Sequence, residues 1–197
     1  MRNKMILKIV LSGAFIAIGW VLPFLTGQIP EFGNMLLPMH LPVFIAGFML
    51  GPIYGCIVGL VTPITRSLIF GMPKLFPGAV GMMFELAAYG FICGLIFNVI
   101  LKNFRKNKGQ LLATTYISLV VAMLGGRIIW GLARMAFTLI PEQSFTYAAF
   151  ISGAFVTAWP GILIQLVLIP AIIFALNKQM IIDFEVDARD EIEQENL

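Results

Sequence analysis

Three arginines, Arg66, Arg127 and Arg134, lie inside long apolar stretches of this chain. Placing one guanidinium near the centre of a bilayer costs roughly 2.5–3.5 kcal/mol, so its presence there needs a compensating interaction. A guanidinium holds a carboxylate through two parallel hydrogen bonds, and this contact strengthens where water is excluded. The three residues therefore predict a polar cavity that binds something negatively charged.

Further polar side chains extend this set of candidate binding residues. His40 is the only histidine, Glu85 is an acid within an apolar stretch, and Lys74 lies between two such stretches. Trp130 comes one helical turn before Arg134, close enough to stack on its guanidinium. The remaining candidates are a tryptophan and two amides: Trp159, Gln165 and Asn98.

Most of these residues also have a purely structural interpretation. Arg134 could extend its long side chain to the membrane interface, and Arg66 could form an ion pair with Glu85. His40 could cap the start of a helix, while a tryptophan or an amide inside a span often joins neighbouring helices. Arg127 has no obvious partner in the sequence, which makes it the strongest candidate for ligand contact.

The composition around these residues is that of a membrane protein. Of the 197 residues, 59% are hydrophobic and only 12% are charged, and the mean hydropathy is +0.94. A soluble globular chain has about twice this share of charged residues. Apolar runs near the length needed to cross a bilayer of roughly 30 Å recur along the whole chain. We therefore expect a multi-pass membrane protein.

The apolar runs predict an all-α protein with six transmembrane helices. Their approximate bounds are residues 5–25, 36–50, 53–70, 79–101, 111–140 and 147–176. We expect residues 1–178 to form one substrate-binding domain. The segment 179–197 contains seven of the ten acids, and we expect it to form an acidic cytoplasmic tail.

Basic residues predict the direction of the chain across the membrane. They cluster before the first span, after the fourth and after the sixth: Arg2, Lys4, Lys102, Arg105, Lys106, Lys108 and Lys178. Because basic loops face the cytoplasm, both termini should lie inside.

This orientation brings the candidate residues to one depth. With a helical rise of 1.5 Å per residue, six groups from four spans and a loop fall in the outer half of the membrane. They are His40, Arg66, Lys74, Glu85, Arg127 and Arg134. Four positive groups against one carboxylate leave surplus positive charge, which the rule for basic loops does not explain. The convergence favours a binding site for an anion on the outer side.

Small residues mark surfaces where helices can approach closely. The first span contains Gly13-x-x-x-Ala17, and Gly51, Gly55 and Gly59 form a ladder on one face of the third. Two interpretations remain open: packing inside this chain, or contact with a partner protein.

Several classes of function are not supported by any motif. The chain has no phosphate-binding loop, no nucleophile elbow and no His-Glu-x-x-His zinc motif. A lone histidine leaves little for nucleophilic catalysis, and Cys56 and Cys93 show no metal-ligand spacing. We therefore expect no enzyme activity, no metal, no cofactor and no binding of nucleic acid.

Two stretches resemble the substrate-binding S components of energy-coupling factor (ECF) transporters. The first runs from Leu37-Pro38-Met39-His40 through Gly51-Pro52-Ile53-Tyr54-Gly55 to Gly71-Met72-Pro73. The second comprises Gly126-Arg127-Ile128-Ile129-Trp130-Gly131-Leu132 and the segment from Pro160-Gly161-Ile162 to Pro170. The resemblance covers about residues 5–178.

The resemblance implies six helices with both ends in the cytoplasm, and vitamin capture on the outer side by helices four to six. It also implies docking through helices one to three onto a transmembrane coupling subunit with two ATPase subunits. Many members carry Ala-x-x-x-Ala in helix one for this contact, where the nearest match here is Gly13-x-x-x-Ala17. The overall pattern leans toward pantothenate-type S components, while folate, nicotinate, lipoate and a queuosine precursor stay open as substrates.

Two other functions are alternatives to the capture of a substrate for an ATP-driven importer. A self-sufficient secondary transporter of a small organic anion would work from a gradient, although no carboxylate lies at mid-depth to carry a coupling proton. A small intramembrane enzyme or assembly protein would need a paired catalytic constellation, and the sequence shows none.

Overall fold

Long helices account for most of the backbone in a computed structural model, which describes residues 2–26, 35–104, 108–140 and 145–176. Within these ranges the chain forms helices and turns and no strand. The acidic tail predicted at 179–197 lies outside the described residues. The direction of the chain across the membrane stays the prediction made from its charges, and "outer end" below means the end that this prediction places outside.

In the described part of the chain, α-helices and irregular helical segments follow one another. The helices are α1 (Arg2–Val21), α2 (His40–Leu50), α3 (Pro52–Phe70), α4 (Val80–Phe104), α5 (Lys108–Phe137), α6 (Tyr147–Ile151) and α7 (Trp159–Leu176). A 3₁₀ segment, Leu22–Thr26, extends α1, and wide π-type turns at Leu75–Ala79 and Ser152–Val156 precede α4 and α7.

Five of the six predicted spans are confirmed. Among the described residues, five segments are long and apolar enough to cross a membrane: Lys4–Leu25, Pro52–Phe70, Leu75–Ile100, Gly109–Phe137 and Tyr147–Leu176. The remaining predicted span contains the shorter apolar helix His40–Leu50. The fold is an all-α bundle. In the sixth span, the Ser152–Val156 segment separates the short helix α6 from α7.

The tight connection between α2 and α3 depends on Gly51 and Pro52. Gly51 has φ +91°, a conformation that residues with a Cβ rarely adopt, and it ends α2. Pro52 then occupies the first turn of α3, where its fixed φ suits a helix and its missing N–H is not needed. The function of Gly51 is therefore to reverse the chain.

The glycine ladder on α3 packs inside the chain. A Cβ at Gly55 would collide with Gly47 of α2 and the carbonyl of Gly90 on α4, and one at Gly59 would collide with the backbone at Leu86. These collisions show that the three helices cross with their backbones in contact. Of the two interpretations, internal packing is correct for this ladder, because its glycine face is covered by α2 and α4.

Helix α1 differs from α2, α3 and α4, because most of its surface lies on the outside of the bundle. Only 11% of its span is buried, against 56% for the span that contains α4. A Cβ added at Gly13 would meet nothing within 4 Å, and Ala17 is exposed. Trp20 anchors the helix by donating a 2.9 Å hydrogen bond from Nε1 to Oγ1 of Thr65. The Gly13–Ala17 face thus stays open to a partner.

Candidate ligand site at the outer end of the bundle

A buried ion pair links α4 and α5. Nη1 of Arg127 lies 2.7 Å from Oε1 of Glu85, and the two side chains are only 7% and 3% exposed. The hydroxyl of Tyr89, one turn along α4, donates a 2.7 Å hydrogen bond to the same carboxylate oxygen. Nε2 of His40 lies 3.7 Å from Oε1 of Glu85. Neither nitrogen of the His40 ring has a hydrogen-bond partner among the described residues.

The local sequence makes this cluster possible. Glu85 and Tyr89 are four residues apart, so they share one face of α4. Gly126 lets α5 come close, because a Cβ there would collide with the ring of Tyr89 and lie 3.1 Å from the carbonyl oxygen of Glu85. The residue beside it, Arg127, then reaches the carboxylate. Sequence reasoning missed Tyr89, although its spacing from Glu85 was a signal.

The ion pair corrects the expected partner of Glu85 and reduces the expected surplus of positive charge. Glu85 pairs with Arg127 and not with Arg66, the partner considered from the sequence. Because a carboxylate already neutralises Arg127, the surplus positive charge at this position is smaller than the residue count suggested. A buried pair also holds both helices in register, because separating its members would leave a charge without a partner.

A cavity of about 180 Å³ borders Arg127 on the side of the sixth span. Its walls come from α4, α5, the Ser152–Val156 turn and α7, and six of the nine residues are aliphatic, thioether or phenyl side chains. The lining residues are Tyr89, Val120, Met123, Leu124, Arg127, Phe155, Ile162, Gln165 and Leu166. A hollow with mainly apolar walls therefore lies beside Arg127.

In the structure, aromatic rings are the partners of Trp130, in place of the predicted guanidinium of Arg134. The guanidinium of Arg134 lies 5.3 Å from the ring centre of Phe145, whereas Trp130 packs against the rings of Phe145 and Phe150. Both Trp130 and Arg134 lie beside Gly81, the second residue of α4. They form an aromatic and cationic layer about two turns, or roughly 10 Å, further out than Arg127.

Comparison with known proteins identifies the family. The description of the family whose sequence model matches is "ECF transporter, substrate-specific component", and the match covers residues 7–173. The chain belongs to this family. Neither the search of curated proteins nor that of solved structures gave a match.

Family membership confirms the resemblance seen in the sequence at the level of the S component. S components are integral membrane subunits of transporters, not enzymes, and they bind the substrate. The family also implies association with an ECF module that contains membrane and ATPase subunits. Among the described residues of this S component, no group of three or more His, Cys, Asp or Glu residues is arranged to hold a metal ion.

Arg66 of this S component lies in a contact of its own, apart from the Glu85 pair. Its guanidinium donates to the carbonyl of Met72 and lies 5.7 Å and 5.6 Å from the ring centres of Phe24 and Phe70. Next to it, Ser67 donates a 2.6 Å hydrogen bond to the carbonyl of Pro73. These contacts tie the segment after α3 to the end of that helix, which indicates a structural role for Arg66.

Replacing Arg66 should therefore reduce stability more than binding. For Arg66→Met we expect a loss of about 2 kcal/mol in the free energy of unfolding, because a partly buried carbonyl loses a charged donor. Thermal unfolding in detergent measures this change, and titration of the folded fraction measures ligand affinity. A loss of affinity above tenfold with unchanged stability would place Arg66 in the binding site instead.

The remaining predicted residues occupy different positions. His40 is buried in the Glu85 cluster, while Lys74 is exposed just before the Leu75–Ala79 turn. Trp159 is 58% exposed and is not among the residues that line the cavity. Gln165, in contrast, lines the cavity and is 1% exposed. The structure thus brings His40, Glu85 and Arg127 together and adds Tyr89 and Gln165 beside them.

Proposed function

We propose that this S component captures a small vitamin with a carboxylate group at the outer end of the bundle, with pantothenate as the candidate. The observation that carries the proposal is Arg127, a buried guanidinium at the wall of a cavity in a substrate-binding subunit. A guanidinium has five N–H donors, so the contact of Nη1 with Glu85 does not use up the group. A carboxylate in the cavity would accept hydrogen bonds from the remaining donors.

The residues further out support capture of an anion. Arg134 lies about 10 Å outward of Arg127 along α5, and exposed Lys74 precedes the turn into α4. Positive groups around an opening raise the local concentration of an anion and its rate of association. We assign Arg134 and Lys74 to attraction of the ligand and Arg127 to holding it, with Glu85, His40 and Tyr89 fixing the position of Arg127.

Identification of the bound molecule tests this function. The protein is purified in mild detergent, denatured, and the released small molecules are analysed by mass spectrometry. We expect one carboxylate compound in near-equal amount to the protein, and competition by added pantothenate. A stoichiometric ligand without a carboxylate would contradict the proposal, as would the absence of any ligand together with no binding of pantothenate.

Transport should require the ECF module. We propose that a transmembrane coupling subunit and two ATPase subunits move the captured vitamin across the membrane. Proteoliposomes with the whole complex should import the vitamin when ATP is supplied, whereas the isolated chain should not. Accumulation by the isolated chain under an ion gradient would favour the competing function, a self-sufficient secondary transporter.

The open face of α1 is the proposed contact with the coupling subunit. Gly13→Leu should weaken assembly of the complex at least tenfold, because the added side chain projects from an exposed face that a helix must approach closely. Ala14→Leu is the matched control, because Ala14 is also exposed but lies about 100° around the helix. Co-purification with the module measures assembly. Equal effects of the two variants, or no effect of the first, would contradict this assignment.

A further inference from the structure

Gln165 stands out among the residues of the cavity because its amide is buried and unsatisfied. The side chain is 1% exposed, and Nε2 has no hydrogen-bond partner among the described residues. Its neighbours on the cavity wall include Met123, Ile162 and Leu166, which offer no hydrogen bond. A buried donor that loses water and gains no partner destabilises a fold, so this position calls for a partner that residues 2–26, 35–104, 108–140 and 145–176 do not supply.

The remaining walls set the size and polarity of that partner. A dry apolar cavity of about 150 Å³ holds one benzene ring, so about 180 Å³ accommodates a single ring or a branched group of similar size. The lining residues Val120, Leu124 and Phe155 are partly exposed, so the cavity has an open side through which the rest of a ligand can extend. Val120 lies seven residues before Arg127 on α5, so the cavity extends roughly 10 Å from the guanidinium toward the membrane centre.

We infer that Gln165 determines the specificity of this site, and that the ligand carries a compact apolar body with a hydrogen-bond acceptor besides its carboxylate. The inference rests on the proposed function and narrows the class of substrate. The carboxylate lies at Arg127, the apolar body lies among Met123, Leu124 and Leu166, and the acceptor accepts a hydrogen bond from the Gln165 amide N–H. An uncharged carbonyl or a ring nitrogen is an acceptor of the required kind.

Two variants separate this assignment from a structural role. Gln165→Met removes the unsatisfied amide while keeping its approximate volume, so the empty protein should unfold a few degrees higher. The same variant should lose affinity for the ligand. Ser118→Ala is the matched control, because Ser118 Oγ is also buried without a partner among the described residues but does not line the cavity. It should raise stability similarly and leave affinity unchanged.

Three probes test the chemistry of the acceptor by titration calorimetry on the whole chain in detergent. Pantothenate and nicotinate each carry a carboxylate and an additional acceptor, while benzoate carries only the carboxylate on a ring of the same size as nicotinate. We expect at least one of the first two to bind wild-type protein at least tenfold more tightly than benzoate. Gln165→Met should remove this difference, and tenfold corresponds to about 1.4 kcal/mol.

The outcomes distinguish this inference from the function on which it rests. If a carboxylate ligand binds and Gln165→Met changes neither its affinity nor its preference over benzoate, the inference is wrong while capture of a carboxylate stands. A lower unfolding temperature for the empty Gln165→Met protein would also overturn it, because the amide would then have a structural partner. If none of the three probes binds and no carboxylate co-purifies, the proposed function fails, and the inference fails with it.

Discussion

Arg127→Met should cause the largest combined loss of stability and ligand affinity in this S component. The variant leaves the Glu85 carboxylate buried at 3% exposure without its cationic partner, which costs about 3–5 kcal/mol for a buried pair. It also removes the group proposed to hold the ligand, so affinity should fall by more than tenfold, or about 1.4 kcal/mol. Thermal unfolding in detergent and calorimetric titration measure the two effects.

A double variant separates the structural contribution of Arg127 from its contribution to binding. Arg127→Met combined with Glu85→Gln removes both charges, and such neutral replacements of a buried pair are often close to neutral in stability. We therefore expect the double variant to regain most of the lost stability without regaining ligand affinity. Recovery of both properties would show that Arg127 does not contact the ligand, and that the single variant acted only by exposing an unpaired charge.

Gly59→Ala should strongly disrupt the crossing of α3 and α4. The new Cβ would collide with the carbonyl group of Leu86 and the amide of Ala87, and backbone cannot rotate out of the way as a side chain can. The helices must separate, at a cost of about 3 kcal/mol or more. Because Glu85 precedes Leu86, this separation also disturbs the ion pair, and ligand affinity should fall as well.

Gly13→Ala provides the matched control for this prediction. The substitution is the same and the residue also lies within a long apolar helix, but a Cβ at Gly13 meets nothing within 4 Å. In the isolated chain it should leave stability unchanged or raise it by up to about 1 kcal/mol, since alanine favours helix over glycine. Circular dichroism during heating compares the two variants. Similar unfolding temperatures for both would contradict the close crossing of α3 and α4.

The small residues show which features of helix packing a sequence pattern can predict and which it cannot. Within the ladder Gly51, Gly55 and Gly59, the last two glycines lie at a close approach of helices, because only glycine leaves the necessary space, whereas Gly51 forms the turn before α3. Whether the approaching helix belonged to this chain or to a partner could not follow from the pattern. The structure shows α2 and α4 against this ladder and open space at Gly13, so two similar motifs face different environments.

The partners of the charged residues at the site likewise could not be predicted from the sequence. Arg66 and Arg127 were both predicted at a similar depth as Glu85, so either could have formed the ion pair. Their actual contacts depend on how each helix is rotated about its axis: α5 turns Arg127 toward Glu85, while α3 turns Arg66 toward Met72, Phe24 and Phe70. Gln165 was a candidate from the sequence, but only the cavity beside it showed why an amide at that position matters.

Hydropathy and motifs are read along the chain, and they were sufficient to predict the membrane class, the approximate bounds of the spans and the S-component family. The side chains that are costly to bury could be selected in the same way, since that cost depends on residue type. Which of them pair, which glycines are covered and where a cavity remains became known from the folded arrangement. These depend on the rotation and axial shift of each helix relative to its neighbours, which are set by the packing of all helices together.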